Sequence, residues 1–259
     1  MLTLVAIAYV VVLWGLSTAL IFYLDSLPTS TFRWSMAAAT LALVGCGVTI
    51  LQFQNNSSIL AIALSFAAGL LAWGWTEMAL YMGYITGPRK HRCAEGCSGV
   101  KHFGHAVSAN LWHELVVILF AGLIWLSGNS VTFWCFTMLW LMHLSARLNV
   151  FLGVRNISVE FVPDHMDVLK GFLRRRRMNA LFPFSIFALA ALTIYLATQP
   201  QTFAITMAAT LAAIGLLEHI LLMLPLPIEK LWHWSLSRKS KPDHTHTSTH
   251  QRIAMGVLP

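Results

Sequence analysis

Residues 70–91 read LLAWGWTEMALYMGYITGPRKH. A long apolar run carries one carboxylate, Glu77, in its interior and closes on a proline followed by Arg89 and Lys90. A lone carboxylate in hydrocarbon costs several kcal/mol, so such a group is kept because it acts on something or is paired. The stretch sets two expectations. The chain crosses a bilayer, and other helices bring polar groups to Glu77.

Composition agrees with the first. Hydrophobic residues make up 57% of the 259 residues and charged residues 10%, against ~25% charged in a soluble domain. Seven runs of about 20 apolar residues are each long enough to span as a helix, at 2–24, 35–53, 59–86, 106–127, 130–154, 180–198 and 202–224. The expected class is all-α, a polytopic membrane protein of seven transmembrane helices. Residues 1–234 form that domain, with loops 87–105 and 155–179, and 235–259 form a polar, disordered tail containing His244, His246 and His250.

Charge fixes the orientation. With seven spans, Arg33, the group Arg89, Lys90, Arg92 and Lys101, the loop carrying Arg174 to Arg177, and the tail with Lys230, Arg238, Lys239 and Lys241 fall on one side. The connections at 54–58, 128–130 and 199–201 contain no Lys or Arg. Short cytoplasmic loops hold the basic residues, so the amino terminus is expected outside, which in a bacterium is the periplasm, and the carboxyl terminus in the cytoplasm. Six or eight spans would destroy the asymmetry. The first run is long and has no basic region ahead of it, which predicts a retained span rather than a cleaved signal peptide. The net charge of +7 then describes one basic face suited to anionic lipid or an acidic partner, with no reason to invoke nucleic acid.

Four spans carry ionisable groups well inside their apolar runs: Glu77, His113 with Glu114 in NLWHELVVIL, His143 in WLMHLSARLNVF, and Glu218 with His219 in GLLEHILLMLP. At 1.5 Å per residue they lie roughly 10 to 18 Å from the cytoplasmic ends of their helices, so a shared polar chamber is expected. Helical spacing places Trp73, Glu77, Tyr81 and Tyr84 on one face, and His143 with Arg147 on another.

Three uses of such a chamber stay open. The carboxylates and imidazoles resemble the inventory of a di-iron or di-manganese bundle, although those use Glu-x-x-His pairs and both pairs here are adjacent. The chamber could instead receive a quinone or a magnesium-bearing tetrapyrrole, with a histidine as axial ligand or hydrogen-bond donor. Or it is a polar layer that fixes helix register.

Two further constellations lie in the loops. HRCAEGCSGVKHFGH gives Cys93, Cys97, His102 and His105, a C-x3-C-x4-H-x2-H spacing that could close a small zinc knuckle but differs from the common fingers. The competing reading is a Gly-rich loop with reduced cysteines. In RNISVEFVPDHMDVLKGFLRRRRMN, Pro163 and Asp164 open an expected short interfacial helix with Met166, Leu169, Phe172 and Leu173 on one face. That helix is a docking surface or simply lies on its own membrane. The NIS at 156–158 matches a glycosylation sequon that would go unused on the cytoplasmic side.

WGWTEMALYMGYITGPR, LWHELVVIL, HLSARLNVFLGVRN, EFVPDHMDVLKGFLRRRRMNALFP and LLEHILLMLP together resemble the photosynthetic complex assembly protein 2 family, the PuhE-type membrane proteins of anoxygenic phototrophic bacteria. The resemblance runs from Trp73 to Pro227. It implies a multi-pass protein of the bacterial inner or intracytoplasmic photosynthetic membrane. It also implies a part in assembling or tuning the reaction centre and core light-harvesting complex, with their subunits or other assembly factors as partners. It supplies no catalytic mechanism. Two classes follow: a non-enzymatic assembly factor that holds a pigment or quinone, or a membrane metal-dependent oxidase or hydroxylase of a pigment, quinone or carotenoid. In the second class Glu77, His113, Glu114, His143, Glu218 and His219 would surround iron or another transition metal.

Overall fold

The structure, a computed structural model, describes residues 1–54, 56–91, 93–94, 96–156, 167–173 and 175–224. Its elements are α1 (Leu2–Asp25), α2 (Phe32–Gln52), α3 (Ile59–Tyr81), α4 (Gly99–Leu126), α5 (Ser130–Leu152), the short α6 (Asp167–Lys170), α7 (Phe182–Thr198) and α8 (Phe203–Leu221). Six of these are long and apolar enough to cross a membrane, and the seventh, α7, has 17 residues. At 1.5 Å per residue α7 is about 26 Å long, at the lower limit for a span. The chain is an all-helical, polytopic membrane protein. Among the described residues the backbone pairs as a bridge at Val154 and Arg175.

α3 is the central helix. Over its most apolar window 56% of residues are buried, against 17% for α1 and 11% for α2. Close approach of backbones puts it there. A Cβ on Gly69 would stand 2.9 Å from the Thr132 carbonyl and 3.0 Å from Cys135 Cβ, so only glycine lets α3 and α5 meet at this level. Around that contact Asn129 donates to Ser65 Oγ at 2.9 Å and Thr132 Oγ1 to the Ser65 carbonyl at 2.8 Å. Phe66, Trp73, Phe136 and Leu139 fill the core beside it.

The two ends of the bundle differ. At one end α3, α5 and α8 begin on Ser58, Asn129 and Thr202, each accepting a hydrogen bond from an amide in the first turn. The connections there contain no charged residue. At the opposite end the connections interlock: the Asn156 amide donates to the Leu222 carbonyl at 2.9 Å, and Asn179 donates to the carbonyls of Gly153 (2.9 Å) and Asn149 (3.2 Å).

Boundaries shift where polarity and helix disagree. α3 ends at Tyr81 rather than 86, and α4 begins at Gly99 rather than 106. Lys101, His102 and His105 form nearly two turns of helix that an apolar run cannot reveal. The expected loop 87–105 is therefore a connection of residues 82–98. It folds back on α4: the His113 amide donates to the Thr86 carbonyl at 2.9 Å, and a Cβ on Gly87 would collide with the Ser108 carbonyl and the Ala109 backbone.

Of the expected interfacial helix, Asp167–Lys170 is helical and Phe172 is buried. Pro163, Asp164, Met166 and Arg174 lie outside the described residues, as do positions 157 and 158 of the sequon and the tail.

Candidate functional site

The Glu77 side chain enters from α3, four residues before the helix ends and one turn below Trp73. It is 6% exposed, and its neighbours come from the two helices next in sequence. His113 of α4 places Nε2 3.5 Å from Glu77 Oε1, and His143 of α5 places Nε2 3.5 Å from Glu77 Oε2. Both separations exceed the 2.7 to 3.2 Å of a good hydrogen bond. Among the described residues neither Glu77 Oε1 nor His113 Nε2 has a hydrogen-bond partner, although both are buried. Trp73 walls the layer, its ring 5.4 Å from that of His143 and set edge-on to Phe136 at 5.8 Å.

One turn further along α5, Arg147 closes the open side. Its Nη1 donates to Glu114 Oε1 at 2.5 Å and its Nη2 to His143 Nε2 at 2.8 Å, while Trp140 Nε1 donates to Glu114 Oε2 at 3.1 Å. The side chains of His143, Arg147 and Glu114 are each about a quarter exposed, whereas His113 is 1% exposed. The layer thus has a sealed floor, Glu77 with His113, and a mouth made of His143, Arg147 and Glu114.

Two expected members lie elsewhere. Glu218 is exposed on the surface of α8. His219 is buried but faces the other side of α5, with Nε2 3.0 Å from Ser145 Oγ and Nδ1 2.8 Å from the Gly215 carbonyl. Ser145 Oγ lies 3.0 Å from Ser185 Oγ, and Asn149 donates to that Ser185 oxygen at 2.9 Å, which makes this a polar network joining α5, α7 and α8. Ser145, Asn149 and Ser185 carry no charge and so gave no signal in the sequence. Trp140, also missed, is one of many tryptophans in apolar runs.

A cavity of about 620 Å³ lies away from this chemistry. It is an apolar groove between α5, α7 and α8, lined by Phe66, Trp134, Leu141, Leu192 and Tyr195 among others. Its lining has no carboxylate, histidine, lysine or arginine, so the Glu77 layer is the better candidate for recognition.

The loop cysteines do converge with the histidines. Cys93, Cys97 and His102 bring their ligand atoms within 4.8 Å of one another, the one such group of His, Cys, Asp or Glu among the described residues. His105 Nδ1 stands 3.1 Å from Cys93 Sγ and 3.5 Å from Cys97 Sγ. Loss of solvent, with the neighbouring Cys97, pushes the Cys93 thiol above its ordinary range, and Arg89 opposes them. The His102 ring packs between Phe151 at 5.4 Å and Phe172 at 5.1 Å, which ties the start of α4 to the end of α5 and to the segment after α6.

A family described as "Protein of unknown function (DUF3623)" matches residues 1–243. The chain is 35% identical over 214 residues to an "Uncharacterized 30.4 kDa protein in puhA 5'region" of Rhodobacter capsulatus, covering 78% of each chain. It is also 35% identical over 68 residues to a UPF0316 protein of Bacillus mycoides (strain KBAB4), 26% of this chain and 37% of that one. No solved structure matches the chain.

Proposed function

The chain belongs to the DUF3623 family, and from that premise we propose that it is an assembly or modulation factor for the bacterial reaction centre and core light-harvesting complex. Its place is the cytoplasmic or intracytoplasmic photosynthetic membrane, with the basic end of the bundle toward the cytoplasm. The Rhodobacter capsulatus relative, named for its position in the puhA 5′ region, and the resemblance of the Trp73–Pro227 motifs to a photosynthetic assembly family support the reading.

In this role the Glu77 layer receives the polar group of a quinone or of a bacteriochlorophyll. The observation that carries this is the buried pair Glu77 Oε1 and His113 Nε2, 3.5 Å apart with no hydrogen-bond partner among the described residues. A buried polar atom left without a hydrogen bond marks an interaction that something else completes. Arg147 at the mouth supplies N–H donors for a carbonyl oxygen. The His113 nitrogen supplies a lone pair for a hydroxyl, or for the central magnesium of a chlorin.

The metal-dependent oxidase is less well supported. Glu77, His113 and His143 do not bring three ligand atoms within 4.8 Å, Glu114 is held by Arg147 and Trp140, and Glu218 and His219 point elsewhere. A guanidinium beside the layer also opposes a second cation there.

The test is Glu77→Ala in a deletion strain of a phototroph. The expected result is loss of reaction-centre and core-antenna absorption, with the variant still present in the membrane. Pigment or quinone that co-purifies with the wild-type chain should be missing from the variant. Normal complexes in the variant strain would remove the layer from the function.

A further inference from the structure

We propose that Cys93, Cys97, His102 and His105 form a tetrahedral zinc site at the basic end of the bundle, separate from the Glu77 layer and independent of its role. The two cysteines come from the connection between α3 and α4, and the histidines from the start of α4. His102 and His105 are three residues apart on one helix, so the H-x2-H spacing puts both imidazoles on the same face. In the sequence alone that spacing argued against a finger. Within a helix it is what a two-histidine face requires.

The distances suit a zinc ion. With Zn–S of about 2.3 Å and Zn–N of about 2.0 Å, a tetrahedral site separates a sulfur from a nitrogen by about 3.6 Å. His105 Nδ1 lies 3.1 and 3.5 Å from the two sulfurs, and His102 lies within 4.8 Å of both. The His102 and His105 nitrogens are not within 4.8 Å of each other, so a rotation of one imidazole toward the other would close the four ligands round the ion. Two thiolates with two imidazoles select zinc over magnesium or calcium, which prefer oxygen. Four protein ligands leave no open position, so the ion would be structural. Through His102, packed on Phe151 and Phe172, it would hold the connection, the end of α5 and the segment after α6 together.

The experiment is elemental mass spectrometry on the full chain, purified in mild detergent from zinc-supplemented cells, beside Cys93→Ser/Cys97→Ser. About one zinc per chain is expected in the wild type, falling at least tenfold in the double variant. Cobalt(II) exchanged into the wild type should give the visible bands of a tetrahedral ion and a thiolate-to-cobalt charge-transfer band. Should the variant fail to accumulate, the cobalt spectrum of the wild type decides. Zinc retained by the variant would put the ion elsewhere and overturn the site. So would a wild-type chain with neither zinc nor cobalt bands, or one carrying a Cys93–Cys97 disulfide.

Discussion

Arg147 Nη2 stands 2.8 Å from His143 Nε2, one turn away on the same helix, while its Nη1 holds Glu114 of α4. A guanidinium has donors only, so His143 Nε2 is the acceptor and its ring proton sits on Nδ1. The same Nε2 faces Glu77 Oε2 at 3.5 Å and has no proton to offer it. Arg147 thereby keeps the mouth of the layer poised for a donor or a carbonyl from outside.

Lysine at position 147 should fail to replace arginine. It keeps the charge but lacks the planar fork that reaches an imidazole and a carboxylate at once. Arg147→Lys should lower complex formation as much as Arg147→Met. Pairing Arg147→Met with Glu114→Gln should recover much of the stability lost in the single variant, because interhelical polar contacts in membranes contribute about 0.6 kcal/mol and at most about 1.7. Thermal denaturation in detergent and the absorption of the assembled complexes measure the two effects. Full function in Arg147→Lys would reduce the arginine to its charge.

His219 should separate stability from function in the opposite way. His219→Ala removes the bonds to Ser145 and the Gly215 carbonyl and leaves a cavity between α5 and α8. The melting temperature should fall while complexes still form at a permissive temperature. Loss of complexes with an unchanged melting temperature would return His219 to the functional layer.

The contrast between His219 and His143 shows where the sequence stops being legible. A charge inside an apolar run is visible without a fold, so Glu77, His113, Glu114, His143 and Arg147 could be picked out and do assemble. Depth along a helix is also readable, but direction around it is not. His143 and Ser145 are two residues apart and so about 200° apart around α5, and they serve different networks. The second network is built from Ser145, Asn149, Ser185 and Asn179, small polar side chains that a search for charge passes over. His102 and His105 lie in the first turns of α4 rather than in a loop, and a polar helical turn has no hydropathy signal. The seven apolar elements were legible because length and composition alone define them.

Glycine 87 sets the position of α4. The connection carrying it lies directly on the α4 backbone, and an added Cβ meets the Ser108 carbonyl and Ala109 backbone, neither of which can rotate away. Gly87→Ala should destabilise by about 1 to 3 kcal/mol, the cost of overpacking a filled contact, and disturb the His113 side of the Glu77 layer. Gly122→Ala on the same helix meets nothing within 4 Å and should be neutral or mildly stabilising. Equal melting temperatures for the two variants would show that α4 adjusts freely and that the close approach constrains nothing.

The orientation of the chain depends on whether the short α7 crosses the membrane. With seven crossings, the charge-free connections at residues 127–129 and 199–202 share one side, and Arg175, Arg176 and Arg177 share the other with Lys90 and Lys101. If α7 lay in the interface instead, α8 would run in reverse and the residues after Leu221 would end opposite to Arg175. The hydrogen bond from Asn156 to the Leu222 carbonyl ties the end of α8 to the end of α5, so seven crossings are required for both to sit at one face. Single cysteines placed at Ser127, Gln201 and Arg177 in a background with the four native cysteines replaced should divide accordingly. A membrane-impermeant thiol reagent applied to intact cells should label the first two and leave the third untouched. Protection of Gln201 together with labelling of Ser127 would remove α7 from the spans and overturn the charge-based orientation of everything after it.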